Sequence, residues 1–343
     1  MSLERSFLKE IQMLRKNNDV ATKKDNPAQL SPRLNLNPGI GARVRHVFVN
    51  QWQLMVMSLP FLALIIVFNY APLWGWTMAF QRYRPSIKSV FNQQWVGFEN
   101  FRTLFLVDDF TRVIRNTVAM SLINLAMGTI GSIFLALMLN EVRNIRFKRT
   151  IQTVSYLPHF LSWVVAAGIV ADSLASDGIV NELLTTLHLI DEPILFLQEG
   201  KMFWGVIGFS SLWKSVGWGT IIYLSAMAGI DLEQYEAAEI DGANRFQRIL
   251  LITLPGIKAT IIILLIMNAG HLMNAGFEQQ YLLQKGPTMA YAETIDIYTL
   301  KWGISQGNYS LATAAGIFKS TVNIIILFMV NTLAKRVGED SLM

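Results

Sequence analysis

Six apolar stretches, each near the roughly 20 helical residues needed to cross a hydrocarbon core, recur along this 343-residue chain. They occupy residues 54–74, 116–140, 151–171, 203–229, 255–275 and 311–333. Lipid offers no water to the backbone, so every N–H and C=O must be paired within the spanning segment, and long apolar runs without strand alternation achieve this as helices. The predicted class is therefore an all-α membrane protein with six transmembrane helices, its even number of spans placing both termini on one side. Composition agrees: 52% of residues are hydrophobic and 15% charged, where soluble domains carry about 25% charge.

Lysines and arginines near the span ends set the orientation. Arg33, Arg43 and Arg45 precede the first span, "EVRNIRFKR" joins the second to the third, and Lys335 and Arg336 follow the sixth. These segments are expected in the cytoplasm. The opposite connections, "ASDGIVNELLTTLHLIDEP" and "EQQYLLQKGPTMAYAETIDIY", are poor in Lys and Arg. Arg82, Arg84, Lys88, Arg102, Arg112 and Arg115, near the first outer connection, go against the rule. Trp74 and Trp76 suit the interfacial aromatic belt.

The polar lead before the first span is too long for the n-region of a cleavable signal peptide, so that span is expected to be retained. Within the lead, Leu3, Phe7, Leu8, Ile11 and Leu14 have helical spacing. An amphipathic helix and a solvated tail both fit. The expected organisation is a lead over 1–50, the first span and outer connection over 51–111, a five-helix core over 112–335, and a tail over 336–343.

Several chemistries are excluded by what the chain lacks. There is no cysteine, which removes disulfides, thiolate catalysis and thiolate metal sites. The formal charge of +5 does not point to nucleic acid, because the basic residues flank apolar segments, where they fix topology. No G-x-x-x-x-G-K-[ST] phosphate loop occurs, and no H-E-x-x-H; His46, His159, His188 and His271 lie far apart in sequence. The chain does not read as an enzyme or a metal protein.

One polar stretch stands between two apolar runs: "EQYEAAEIDGANRFQRILLITLP", residues 233–255. An acidic first turn suits a helix dipole, Ala237 and Ala238 permit close approach, and Gly242 offers the backbone freedom for a turn. A second helix then runs toward Pro255, which resets the backbone as the next span begins. The product is two short helices joined at a glycine, with Glu233, Glu236 and Asp241 on a polar face and Tyr235, Ile240 and Phe246 on an apolar one. Chemistry alone leaves two readings open, docking into a groove on another protein and packing as a cytoplasmic loop.

Glu236-Ala237-Ala238, three residues, Gly242, nine residues, Ile252, one residue, then Leu254-Pro255 resembles the EAA loop of ATP-binding-cassette importer permeases at every defining position. "WVGFENFRTLF", "RNTVAMSLINL", "ALMLNEVRNIRFKRTIQTVSYLPHFLSW", "WKSVGWGTIIYLSAMAGID" and "KSTVNIIILFMVNTLAKRVGED" are similar, in order and spacing, to segments of the carbohydrate (maltose-type) branch. The first thirty or so residues do not match. The resemblance implies a type I importer (MetI-like) bundle with a cytoplasmic coupling loop over 231–255. Glu236, Ala237, Ala238, Asp241, Gly242, Leu254 and Pro255 would contact the motor. It also implies a second homologous permease, two ATPase subunits that hold the ATP and Mg, an external solute-binding protein, and an oligosaccharide or polysaccharide fragment as cargo.

Polar groups in spans usually face a cavity or another helix. Before the loop, Ser211, Lys214, Ser215 and Trp218 recur at three or four residues. After it, Asn268, His271, Ala275 and Glu278 do the same. An ammonium near mid-span costs at least about 2.5 kcal/mol, so Lys214 needs water or a carboxylate, and Glu278 is one candidate partner. The resemblance implies a sugar site lined from these two segments; Trp213 or Trp218 beside Asn268 would supply an aromatic face and hydrogen bonds. Asn116, Ser121 and Asn124 have helical spacing too and read as interhelical bonding groups. A different cargo, or an ion-coupled transporter using Lys214 and Glu278 as a charge relay, remains open at this stage.

Overall fold

The computed structural model of the protein describes residues 52–87, 89–106 and 108–336. The expected helix in the lead lies outside the described residues, as does the tail beyond Arg336. The chain forms two compact units that divide between Ala71 and Pro72. In the first, helix α1 (Trp52–Ile65) buries none of its side chains and carries Pro60 in its interior. Apart from Gln53 and Ser58 its exposed side chains are apolar, as a lipid-facing helix needs, and interior prolines are tolerated in such helices.

A 3-10 stretch, Ala71–Phe80, begins at the division, and a small departure from the all-helical expectation follows it in the second unit. Strands β1 (Gln81–Arg82) and β2 (Gln94–Trp95) pair antiparallel, Gln81 opposite Trp95. The side chain of Gln93 closes the intervening loop, accepting from the Arg84 N–H and donating to the carbonyls of Arg84 and Ile87. Helix α2 (Glu99–Leu106) leads into α3 (Asp108–Glu141). Then follow α4 (Ile145–Tyr156), α5 (Trp163–Ser173) and α6 (Ile179–Thr186). Helix α7 (Gly200–Met227) packs along α3.

Close approach at this contact depends on glycine: a Cβ on Gly208 would lie 2.5 Å from Ile123 Cγ2. On the same helix, a Cβ on Gly217 would lie 2.1 Å from the Ser155 carbonyl oxygen of α4. The loop helices α8 (Leu232–Ile240) and α9 (Arg245–Arg248) come next, then α10 (Lys258–Ala269), α11 (Phe277–Leu283), α12 (Ile295–Leu300) and α13 (Tyr309–Arg336).

Three apolar clusters hold this unit. One gathers Met120, Phe203, Ile207, Leu283 and Ala292; a second gathers Phe110, Met273, Ile295, Tyr298 and Leu311. A third, next to the loop, joins Ala136, Tyr223, Met227 and Ile257. By length and composition, three helical stretches suffice to cross a membrane: Trp52–Phe80, Asp109–Glu141 and Tyr309–Arg336. The number rises to six if each of three bent helix pairs counts as one span.

Two spans differ from the sequence expectation. The third is not one helix over 151–171 but α4, a 3-10 turn at Leu157–Phe160 and α5, bent by 110°. Pro158 lacks an N–H, and Ser162 takes an extended conformation and caps α5 by accepting from Val165 N. The fifth span, expected over 255–275, runs as α10 from Lys258 to Ala269. Gly270 ends it, and Gly276, at φ +92°, turns the chain into α11. Ala275 and Glu278 therefore do not continue the helical face of Asn268.

Three of the five arginines that go against the orientation rule have side-chain partners. Arg82 pairs with Glu99 at 3.3 Å, and Arg112 with Asp109 at 2.9 Å and Glu293 at 3.2 Å. Arg115 donates to Asn116 Oδ1 and lies over the Trp204 ring.

Candidate functional site: the coupling loop and the polar cavity

The loop folds as two short helices joined at a glycine, as its sequence pattern predicts. Asp231 caps α8 by accepting from Glu233 N at 3.0 Å. Gly242 takes φ +77°, a conformation that side-chain-bearing residues rarely adopt. Asn244 and Gln247 then form a reciprocal capping box at the start of α9, with bonds of 2.7 and 2.9 Å.

Two contacts clamp the pair of helices: Arg248 to Glu239 at 3.4 Å, and the Tyr235 hydroxyl to Thr253 Oγ1 at 2.9 Å. A π-helical turn, Ile249–Thr253, precedes Leu254 and Pro255, and a 56° bend at Ile257 leads into α10. On the other side, α7 and α8 meet at 75°. Glu236, Ala237, Asp241 and Gly242 are exposed and Ala238 is half-buried. Ile240 and Phe246 present 87% and 68% of their surface, an apolar ridge that no other described residue covers. Tyr235, expected on the same ridge, is instead half-buried by its bond to Thr253.

A polar cavity of about 420 Å3 opens between α3, α7 and the end of α10. It brings together Ser215, Trp218, Asn268 and His271, four of the eight residues proposed for the solute path. Ser121, Asn124 and Asn274 line it as well. The helical spacing of Ser121 and Asn124 reads them as interhelical groups. Asn124 does donate to the Ala275 carbonyl at 3.4 Å, but its Oδ1 and the Ser121 hydroxyl are buried without a partner among the described residues. Two orphaned acceptors on a cavity wall are groups that a solute hydroxyl or water can satisfy. Helical spacing in α3 held the signal for both, and only the packing of α3 on α7 tells which way the face turns. Asn116 follows the sequence reading, donating to the Ala290 and Glu293 carbonyls.

The other four residues are not cavity-lining. Trp213 borders two apolar grooves, one with Phe209 and Ile169 and one with Pro158 and Val154. Ser211 is half-buried, its carbonyl accepting from the Ser215 hydroxyl at 2.5 Å. Glu278 is exposed on α11, and among the described residues it forms no ion pair with Lys214. Lys214 Nζ instead donates to the His159 carbonyl at 3.0 Å and lies 5.4 Å from the centre of the Trp163 ring. The His159 ring stacks flat on Trp218, 4.7 Å between centres. The break between α4 and α5 places His159 there, and no periodicity argument from a continuous third span could have found it.

Residues 128–339 match the family described as binding-protein-dependent transport system inner membrane component. The chain belongs to this family. It is therefore a multi-pass inner-membrane transport component. Among its relatives, Protein LplB of Bacillus subtilis (strain 168) is 42% identical over 294 residues, 85% of this chain and 91% of that protein. The polygalacturonan/rhamnogalacturonan transport system permease protein YteP of the same organism is 39% identical, over 86% of this chain and 91% of its own length. Among solved structures, a chain of a bacterial ABC transporter involved in the import of the acidic polysaccharide alginate superposes with a TM-score of 0.79 at 37% identity. That match covers 86% of this chain and 99% of the other. A second structure, a bacterial alginate ABC transporter in complex with an alginate pentasaccharide-bound periplasmic protein, gives a TM-score of 0.80 at 36% identity over 88% and 100%. Within the family match lie both the coupling loop and most of the cavity wall.

Proposed function

We propose that this chain is the permease subunit of an ATP-driven importer for oligosaccharides or polysaccharide fragments, working as a pair with a second, homologous permease. The observation that carries this reading is the projecting loop helix α8, with Ile240 and Phe246 uncovered beside the acidic Glu236 and Asp241. An apolar ridge flanked by carboxylates is suited to a socket on another protein. Two ATPase subunits would fill that role, holding ATP and Mg themselves, while this chain performs no catalysis. A solute-binding protein would deliver the cargo from outside, as the family description suggests. The relatives named for polygalacturonan, rhamnogalacturonan and alginate support a saccharide cargo.

The loop is built to transmit force. Its two helices are tied to each other by Arg248–Glu239 and to the start of the next span by Tyr235–Thr253, so α8 cannot tilt without moving both α7 and the segment leading into α10. Helix α7 and the end of α10 are two of the three walls of the polar cavity. Closure of the ATPase dimer against α8 would shift one wall against the other and alternate access to the cavity. Basic residues at the ends of the second, third and sixth spans support cytoplasmic placement of the loop and of both termini. Glu236, Ala237, Ala238, Asp241 and Gly242, with Leu254 and Pro255 at the loop's exit, take the coupling role. Ser215, Trp218, Asn268 and His271, joined by Ser121 and Asn124, take the solute role. Ser211, Trp213 and Glu278 have no place in the cavity wall.

Affinity purification of the tagged chain from gently solubilised native membranes, with mass spectrometry of what accompanies it, tests the assignment. Recovery of an ATP-binding-cassette ATPase and a second permease is expected. Recovery of the chain alone, or only with copies of itself, under conditions that preserve complexes would overturn it.

A further inference from the structure

Lys214 is the fifteenth residue of the 28-residue helix α7, a cation midway along a segment that otherwise reads as membrane-spanning. Such a charge is normally matched by a carboxylate or by water. Among the described residues the ammonium has no carboxylate partner; its acceptor is the His159 carbonyl, and its neighbour is the Trp163 ring. One carbonyl leaves two of its three N–H groups for something else.

Lys214 does not itself line the polar cavity, but it stands four residues before Trp218 and eight before Ile222, which do, so it borders the stripe on α7 that faces the cavity. It lies one turn farther than Trp218 from the coupling helices. His159 links the two side chains directly, its carbonyl on Lys214 and its ring on Trp218. The cavity beyond is polar, yet none of its lining side chains is acidic; Asn124, Asn268, Asn274, Ser121 and His271 supply its hydrogen bonds. A site for neutral sugars can use carboxylates to accept from hydroxyl pairs. A site that must admit an anion cannot, because an unpaired buried charge repels it at a cost that grows as water is excluded.

We infer that Lys214 is the counter-charge for a carboxylate on the cargo, and that the transported oligosaccharide is uronate-bearing. This rests on the proposed function and narrows it. Lys214 would meet the carboxylate at the edge of the cavity, while Trp218 covers the apolar face of the ring and the asparagines take its hydroxyls. Arginine at 214 would preserve the contact; an uncharged side chain would not.

The test is equilibrium binding to the purified importer complex in nanodiscs. The probes are oligogalacturonate, oligomannuronate and the carboxyl-reduced counterpart of each, measured on wild type, Lys214→Gln and Lys214→Arg. The expected result is tighter binding of at least one acidic probe than of its reduced counterpart. Lys214→Gln should weaken that acidic probe by about tenfold or more, the size of one charge-assisted hydrogen bond. The neutral counterpart should be unchanged, Lys214→Arg should retain most of the preference, and added salt should erode it in wild type.

Equal affinity for acidic and reduced probes, or equal weakening of both in Lys214→Gln, would overturn the inference and leave the saccharide reading standing. Loss of complex assembly in Lys214→Gln, restored by Lys214→Arg and accompanied by no acidic preference in wild type, would assign the charge to a partner subunit's carboxylate and overturn it too. Failure of every probe to bind, together with failure of neutral oligosaccharides of other linkage, would overturn the saccharide reading itself.

Discussion

Ile240 is the residue on which the docking argument can be tested with a number. It ends α8 with 87% of its surface exposed, beside Gly242 and within the ridge completed by Phe246. Because the chain itself buries so little of it, Ile240→Ser should change the stability of the isolated permease by no more than about 0.5 kcal/mol, as for other surface substitutions. If an ATPase socket covers it, the substitution forfeits most of a full side-chain burial, about 1.5–3 kcal/mol. With 1.4 kcal/mol for each factor of ten, that weakens association by about 10- to 100-fold. The assay is titration of the permease pair in nanodiscs with its ATPase subunits, reading ATP hydrolysis. The half-saturation point should move by that factor, with the rate at saturation close to wild type. A shift of less than twofold would place Ile240 outside any contact and refute the ridge as the docking surface. A drop of several degrees in the melting temperature of the permease alone would show that Ile240 supports the fold instead.

Three further outcomes follow from other parts of the structure. Glu236→Lys reverses a charge exposed on α8, so the complex should still assemble at least in part while solute-stimulated ATP hydrolysis and uptake are lost; full transport by this variant would remove Glu236 from the coupling role. Gly217→Ala would press a Cβ to 2.1 Å from a backbone oxygen of α4, which cannot swing aside, and should destabilise the permease by about 1–3 kcal/mol in thermal unfolding, while Gly205→Ala, with open space around it, should be neutral.

Tyr298 is buried, and burial first, with the Glu293 and Asp109 carboxylates adding to it, pushes its hydroxyl up to about 12. The unfolded chain, titrating near 10, releases this proton earlier, so stability is fully present below pH 10 and declines as pH rises toward 12. Tyr298→Phe should flatten that decline in melting curves recorded from pH 9 to 12. It should cost little at neutral pH, since the hydroxyl has no hydrogen-bond partner among the described residues.

Sequence pattern carried the membrane class, the coupling loop and the course of the long helices, because each depends on local rules. Apolar length specifies α3 and α13, and Asp231, Gly242 and Asn244 mark the start, the turn and the restart of the loop through their own backbone preferences. The breaks were harder to read. The third span reads as one apolar run over 151–171, and packing around Pro158 and Ser162 decides that α4 turns by 110° into α5. Gly270 and Gly276 likewise end α10 before the face carrying Asn268 could extend to Glu278.

The solute residues split for the same reason. Ser215 and Trp218 lie on the α7 stripe that faces the cavity, whereas Trp213 is turned about 100° per residue away from its neighbour and meets apolar grooves. His159, stacked on Trp218, and Asn274, on the cavity wall, come from irregular segments, where no periodicity exists to be read. Glu293, buried at the junction of Arg112 and Lys301, is a further group visible only in three dimensions, since its partners lie 181 and 8 residues away.

The central claim is that the loop over 231–255 meets an ATP-hydrolysing partner. The chain contains no cysteine, so Gln234→Cys, at an exposed position on α8, introduces a unique thiol for a photoactivatable crosslinker in native membranes. The predicted product is one covalent adduct with an ATP-binding-cassette ATPase, its yield changing when ATP is added. Adducts confined to other copies of this chain or to lipid, with none to an ATPase, would contradict the account.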